Sequence, residues 1–362
     1  MDRTGLELTK YINRTGQIAS HALSMLDSNA SFRVIPSIDI GVPYDVDRLA
    51  GGFPTGVYVE WECSMPIIPV DTTVNCCSAS IFKLSSFFDQ ERFFYNLIRL
   101  NSSWEKSSYQ MNFNRGNHFI TLCCDRENRW YLVMHSTAKE FTKGYNGLYP
   151  VKGNWYYDKI KVYEENGRYF RYITGKTAEL FTKTAISLNG YNEIRHENIA
   201  YYLCNGCVES SSHYHHYGMN QINAIKIGCY TINENELIPI FSKPGYAIDV
   251  VQVLESEKRT QDGKLIVPHG WGRAYSKALE INIDLKNRVC IVGNEKFELF
   301  AGKSLYVLND LYNRNYVNEK NKNVFYDSFR KEIKGNVLMS LTQEICMTAE
   351  GIYRIRGKEK GA

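Results

Sequence analysis

From Phe32 onward the chain runs in short stretches of β-branched and aromatic residues separated by Pro, Gly, Asp and Asn. That pattern constrains the fold more than any other feature. Runs of about four to eight such residues, bounded by turn formers, read as strands. Arg33–Ile40, Gly56–Glu62, Ile67–Val70 and Val74–Leu84 come first, and Phe119–Cys124 with Trp130–His135 reads as a pair joined by the polar turn Asp125–Arg129. Strands are also expected at Ile238–Phe241, Ala247–Leu254, Leu265–Val267, Leu279–Ile283, Arg288–Val292 and Ile352–Ile355.

Helical spacing is confined to a few stretches. Leu6–Leu26 predicts one or two helices broken near Gly16, and Phe87–Leu100 a helix burying Phe88, Phe94, Leu97 and Ile98. Phe325–Lys334 predicts a helix near the end, and Met219–Ile227 a short one inside the ambiguous stretch Asn192–Lys226. Tyr145–Tyr172 predicts strands or an irregular surface. Ser304–Leu311 stays open between helix and strand, and Asn313–Asn323 reads as an exposed loop. No repeat or linker divides the chain. The expected class is α+β, a single large domain over residues 1–362 with mixed β-sheets and flanking helices.

Composition narrows the functional classes. An apolar fraction of 44% with 13% aromatics belongs to a folded protein. A net charge of +4 over 362 residues does not by itself argue nucleic-acid binding. Ten cysteines without the spacing of a secreted scaffold favour reduced thiols and a cytoplasmic location. The start, with Asp2, Arg3, Glu7 and Lys10, carries no apolar leader, and no apolar run has the length of a membrane helix. Neither membrane association nor a stable protein partner is expected.

Several segments carry ligand chemistry. Pro268–Lys277 places His269 before Gly270, Trp271, Gly272 and Arg273. Glycines admit close backbone approach, and a guanidinium suits phosphate. Locally, a turn closing a strand accounts for the same residues. Pro69–Cys77 sets two thiols after Asp71, while His118 and His135 lie at the open end of the predicted hairpin. Two imidazoles and a thiolate there make a three-ligand set for a transition metal. Cys204-Asn-Gly-Cys207, followed by His213, His215 and His216, reads either as a second metal segment or as a solvated loop with free thiols.

In this order the motifs resemble those of the RtcB-type RNA ligases. Gly52-Phe-Pro-Thr-Gly56, Val74-Asn-Cys76, Gly116-Asn-His-Phe-Ile120, His135-Ser136 and His269-Gly-Trp-Gly-Arg273 are similar to five motifs of that family. The resemblance implies a GTP- and Mn2+-dependent ligase joining RNA 2′,3′-cyclic-phosphate or 3′-phosphate ends to 5′-hydroxyl ends through a histidine–GMP intermediate. It implies His269 as nucleophile and Cys76, His118 and His135 as metal ligands, with Asp71 standing in where Thr73 replaces the family's aspartate. Asn117, Gly270, Gly272, Arg273 and Lys360 are the implied nucleotide contacts. Gln252 falls where the family has a third metal histidine. These departures define the alternative: a non-catalytic relative that binds RNA or nucleotide through a degenerate metal site.

Overall fold

The computed structural model describes residues 3–43, 45–106, 113, 118–138, 147–242, 245–271, 280–302 and 319–355. Helix α1 (Arg3–Ser24) leads into β1 (Ser31–Gly41), the short α2 (Val46–Gly51), β2 (Thr55–Glu62), β3 (Ile67–Pro69) and β4 (Cys77–Leu84). Helix α3 (Gln90–Lys106) precedes β5 (Phe119–Cys124), β6 (Trp130–Ser136), β7 (Lys161–Glu165) and β8 (Arg168–Thr174). The long α4 (Lys176–Leu203) is followed by β9 (Val208–Gly218), β10 (Ala224–Ile227), β11 (Cys229–Ile232), β12 (Leu237–Ile240), β13 (Ile248–Ser256) and β14 (Leu265–Pro268). Three short strands, β15 (Ile281–Asp284), β16 (Val289–Val292) and β17 (Glu295–Glu298), then form a sheet of their own. Helix α5 (Glu319–Glu332) and strands β18 (Ile333–Thr348) and β19 (Gly351–Arg354) complete the described chain.

The class is α+β. One sheet of 11 strands runs β1-β2-β10-β9-β4-β6-β5-β18-β13-β12, with β19 paired to β18. Its ladders are antiparallel, so successive side chains alternate between faces and neighbouring strands stay in register over both. One face of β4, β5 and β6 packs Ala79, Phe119, Cys123 and Val133 against β12–β14. The other packs Phe82, Leu122, Leu132 and Met134 with α3 and the end of α4. α1 and β8 close a further core over β1 and β2.

Two helices differ from what periodicity predicts. α1 runs unbroken through Gly16, where an added side chain would meet nothing within 4 Å. A glycine inside a helix costs only about 1 kcal/mol, less than the burial of Leu8, Ile12, Ala19 and Leu23 supplies. α3 begins at Gln90 and buries Phe93, Leu97 and Trp104, while Ile98 is 42% exposed. The expected helix at Met219–Ile227 is instead the strand β10 and the turn before it, because those residues pair with β2 and β9. Residues 319–323, expected as loop, belong to α5, and Ser304–Leu311 lies outside the described residues.

Candidate metal centre

The alternation of β4, β6 and β9 builds the site. Ala79 pairs with His135 on one side and Tyr214 on the other, so Cys77, two residues before Ala79, shares their face. Between Ser78 and Cys77 the partner strand carries an extra residue: Ser78 faces His215, but Cys77 faces Tyr217. Such a bulge re-aims side chains locally, and the extra residue here is His216. Cys77 Sγ lies 3.0 Å from His135 Nε2, which lies 3.1 Å from His216 Nε2. Among the described residues this is the one group of three or more such side chains whose ligand atoms all lie within 4.8 Å of one another. All three are buried.

The rings extend into a column. His118, just before β5 and beside the Phe119–His135 pair, has its ring centroid 5.5 Å from that of His135. His135 and His216 stack at 5.1 Å, and His216 and His269 at 4.7 Å. Phe241 stacks on His135 at 5.6 Å, and Tyr230 meets His216 edge-on. These aromatic walls keep water away and strengthen electrostatic interactions inside.

His269 follows β14, which crosses near β1 of the large sheet. Asp39 Oδ2 accepts from His269 Nδ1 at 2.7 Å and from the His269 backbone N–H at 3.1 Å. A carboxylate on Nδ1 selects the tautomer that leaves the Nε2 lone pair available. Gly270 forms an isolated parallel bridge to Phe241, and a Cβ there would lie 3.1 Å from Phe241 O. The close approach at this glycine is therefore to protein backbone.

Burial acts in one direction on the donors. It pushes the Cys77 thiol pKa up, with Cys76 adding to the effect, and drives the His216 pKa well down, with His269 and His135 adding to it. A neutral imidazole is the ligating form, and a bound cation would reverse the effect on the thiol. Sulfur and imidazole nitrogen, buried and 3 Å apart, are a donor set that fits a transition metal.

Two expected ligands lie elsewhere. The Cys76 thiol points to Ala185 O of α4 at 3.5 Å, and Cys77 holds the place expected for it. The cause is backbone: Thr73 and Cys76 both have left-handed φ, 40° and 54°, which turns the chain so that the strand phase begins on Cys77. Asp71 is not near the imidazoles but in a buried ion pair with Arg171, whose Nε reaches it at 3.0 and 3.1 Å. That ion pair holds the carboxylate on Arg171, away from the Cys77–His135–His216 cluster. Gln252 lies in β13 opposite Leu237 and Asn336, outside the cluster, and the third imidazole comes from His216.

The Cys204–His216 segment does not act as one metal unit. Cys204 is buried against Leu203 and Phe82, while His213 and His215 face α4, with Glu197 at 3.3 Å and Glu193 at 2.5 Å. Sequence reasoning named Cys77 and His216 as possible ligands but in separate segments, and it missed Asp39. For Cys77 a signal exists, since strand alternation back from Ala79 selects it. For His216, which shares its face with Tyr214 by the same alternation, the pairing of β9 with β4 is needed, and for Asp39 the crossing of β14 over β1. Asn117, Gly272, Arg273 and Lys360 lie outside the described residues.

No family model matches the chain, and no curated protein matches it.

Proposed function

We propose that the protein is a metal- and GTP-dependent RNA ligase of the histidine-guanylylating kind, joining RNA 3′-phosphate or 2′,3′-cyclic-phosphate ends to 5′-hydroxyl ends. One observation carries the proposal. His269 is stacked on a ligand imidazole of the Cys77–His135–His216 cluster, with Nδ1 held by Asp39. A metal-binding triad alone would suit many activities. A tautomer-fixed histidine beside it is a nucleophile poised next to the charge that a polyphosphate needs. The resemblance in sequence supplies the substrate class.

Cys77, His135 and His216 would hold the metal, with His118 beside them. Bound there, the metal supplies positive charge for the phosphates and for the leaving group. Thiolate and imidazole favour Zn2+ or Co2+ over Mn2+ in affinity, so manganese would bind through the same atoms more weakly. The remaining work falls to the chain. Asp39 keeps the proton on Nδ1 and stabilises the imidazolium that develops on attack. His269 Nε2 forms a bond to the α-phosphorus of GTP, and the bond to the β-phosphate oxygen breaks, releasing pyrophosphate. The guanylate then passes to the RNA 3′-phosphate, whose phosphorus is attacked by the 5′-hydroxyl with loss of GMP.

Incubation with Mn2+ and GTP labelled at the α-phosphate tests this. Acid-labile label is expected on the wild type and absent from His269→Ala and Cys77→Ser. No label on the wild type, in protein shown to bind metal, would sink the proposal.

A further inference from the structure

Arg48, in α2, is buried to 6% exposure. Its Nε donates to Phe53 O and its Nη2 to Thr55 Oγ1, both at 3.2 Å, and its Cζ stands 5.0 Å from the Tyr217 ring centroid. Among the described residues it makes no ion pair within 4.0 Å, and Nη1 hydrogen-bonds to none of them. The other buried arginine of this region, Arg171, contrasts with it, being paired to Asp71 and to Asp47 at 3.7 Å. Asp45, three residues before Arg48, is occupied in capping α2 through the backbone N–H groups of Asp47 and Arg48. Asp45 offers Arg48 charge at a distance but no direct ion pair, so the open edge of the buried guanidinium is free to take an anion.

Its location says which anion. Tyr217 follows His216 and lies opposite Cys77. Thr55 packs on Gly228, where an added Cβ would sit 2.6 Å from Thr55 Cγ2 and 3.3 Å from His269 Cε1. Gly228, at φ 76° and bonded through its N–H to His216 O at 2.7 Å, thus lies against both the arginine's hydroxyl partner and the His269 ring. Through Thr55 and Gly228 the arginine lies on one side of the His269 ring, and His216 of the cluster stacks on it.

We infer that Arg48 is the oxyanion-holding residue of the centre, taking a phosphate group through Nη1 and the outer Nη2 hydrogen while Phe53 O and Thr55 Oγ1 fix the fork. This rests on the proposed function for its ligand class but not for its geometry. A planar two-donor edge matches two phosphate oxygens, which an ammonium does not. Phosphate is offered by two partners, the nucleotide triphosphate and the RNA 3′ end.

The test is calorimetric titration of the Co2+-loaded full chain with inorganic pyrophosphate, GTP, guanosine, and short RNAs ending in 3′-phosphate or 3′-hydroxyl. Arg48→Gln is expected to weaken pyrophosphate at least ten-fold, leaving Co2+ stoichiometry and visible absorption unchanged. A parallel loss for GTP assigns the nucleotide as the source, and a loss confined to 3′-phosphate RNA assigns the RNA end. Arg48→Lys keeps the charge without the fork and is expected to recover less than half the lost binding energy; it decides the matter if Arg48→Gln does not fold. Pyrophosphate affinity unchanged in both variants, or unmeasurable in the wild type, overturns the inference. Failure of His269 labelling with Arg48-dependent pyrophosphate binding intact would remove the ligase and leave this site standing.

Discussion

Strands β4, β6 and β9 carry polar residues on both faces, and the two faces differ in kind. On the α4 side, Ser80 Oγ lies between His196 Nδ1 at 2.7 Å and His213 Nδ1 at 2.8 Å, and His196 Nε2 reaches Ser136 Oγ at 2.7 Å. Arg195 spans Ser136 Oγ at 2.8 Å and Thr137 O at 2.7 Å, while Asn192 clasps Ser78 Oγ and Ser136 O. Most donors there meet acceptors within the same network. On the opposite face, one residue away along each strand, Cys77, His135 and His216 bring a sulfur and two ring nitrogens to one point. A network of matched donors and acceptors stabilises a fold, whereas the sulfur and ring nitrogens gathered on the other face form a set that could hold a cation. The back face holds Ser78 and Ser136 in register, and through them the strand ends that bear two of the ligands.

The sharpest way to break this contrast is Cys77→Ser, which should weaken Co2+ binding at least 100-fold and abolish the thiolate-to-cobalt absorption, while Cys76→Ser changes affinity less than three-fold. Equal losses in both would return the ligand role to Cys76. Next in size, Asn192→Ala or His196→Ala should cost about 2–4 kcal/mol in denaturant unfolding of the metal-free protein, by leaving buried hydroxyls unmatched. Metal affinity should fall far less than in Cys77→Ser.

A pH series separates the faces further. Burial, with Arg195, His213, His135 and His215 adding to it, holds His196 well below its ordinary pKa. The unfolded chain then binds a proton near pH 6.5 that the folded chain refuses, so stability is full above that pH and falls as pH drops through it. The slope is bounded at about 1.4 kcal/mol per pH unit for each such histidine. His216 behaves likewise on the other face. Saturating Co2+ should steepen the dependence, because protons then compete with the metal, and His196→Gln should flatten it by one proton. A metal-free slope unchanged in His196→Gln would mean that the back-face histidine is charged when folded. The smallest effect is expected from Cys204→Ser and Cys207→Ser, which should leave metal stoichiometry unchanged by elemental analysis.

Among the described residues no helix is long and apolar enough to cross a membrane. Much of the sheet is legible from local pattern. The β5–β6 hairpin and its turn fall where alternation and polarity place them, and with them His118 next to the Phe119–His135 pair. Helix α4 is not legible, for a reason tied to the site. Its inward face carries Asn189, Asn192, Arg195 and His196 among Phe181, Ala185 and Leu203, while Leu180, Ile194 and Tyr201 face outward. A helix that buries polar groups against a polar sheet face has no apolar stripe to read.

What the sequence determined by itself was a class, a hairpin and a set of chemically able residues, because alternation, turn chemistry and side-chain type act over a few neighbours. The choice between the two thiols is local, with alternation back from Ala79 and the left-handed Thr73 and Cys76 setting where the strand begins. Tertiary structure alone decided which histidine completes the triad, by pairing β9 with β4, and which carboxylate orients His269, through strands more than 200 residues apart in sequence. Both choices depend on which strands lie side by side, which residues a few positions apart in sequence cannot set.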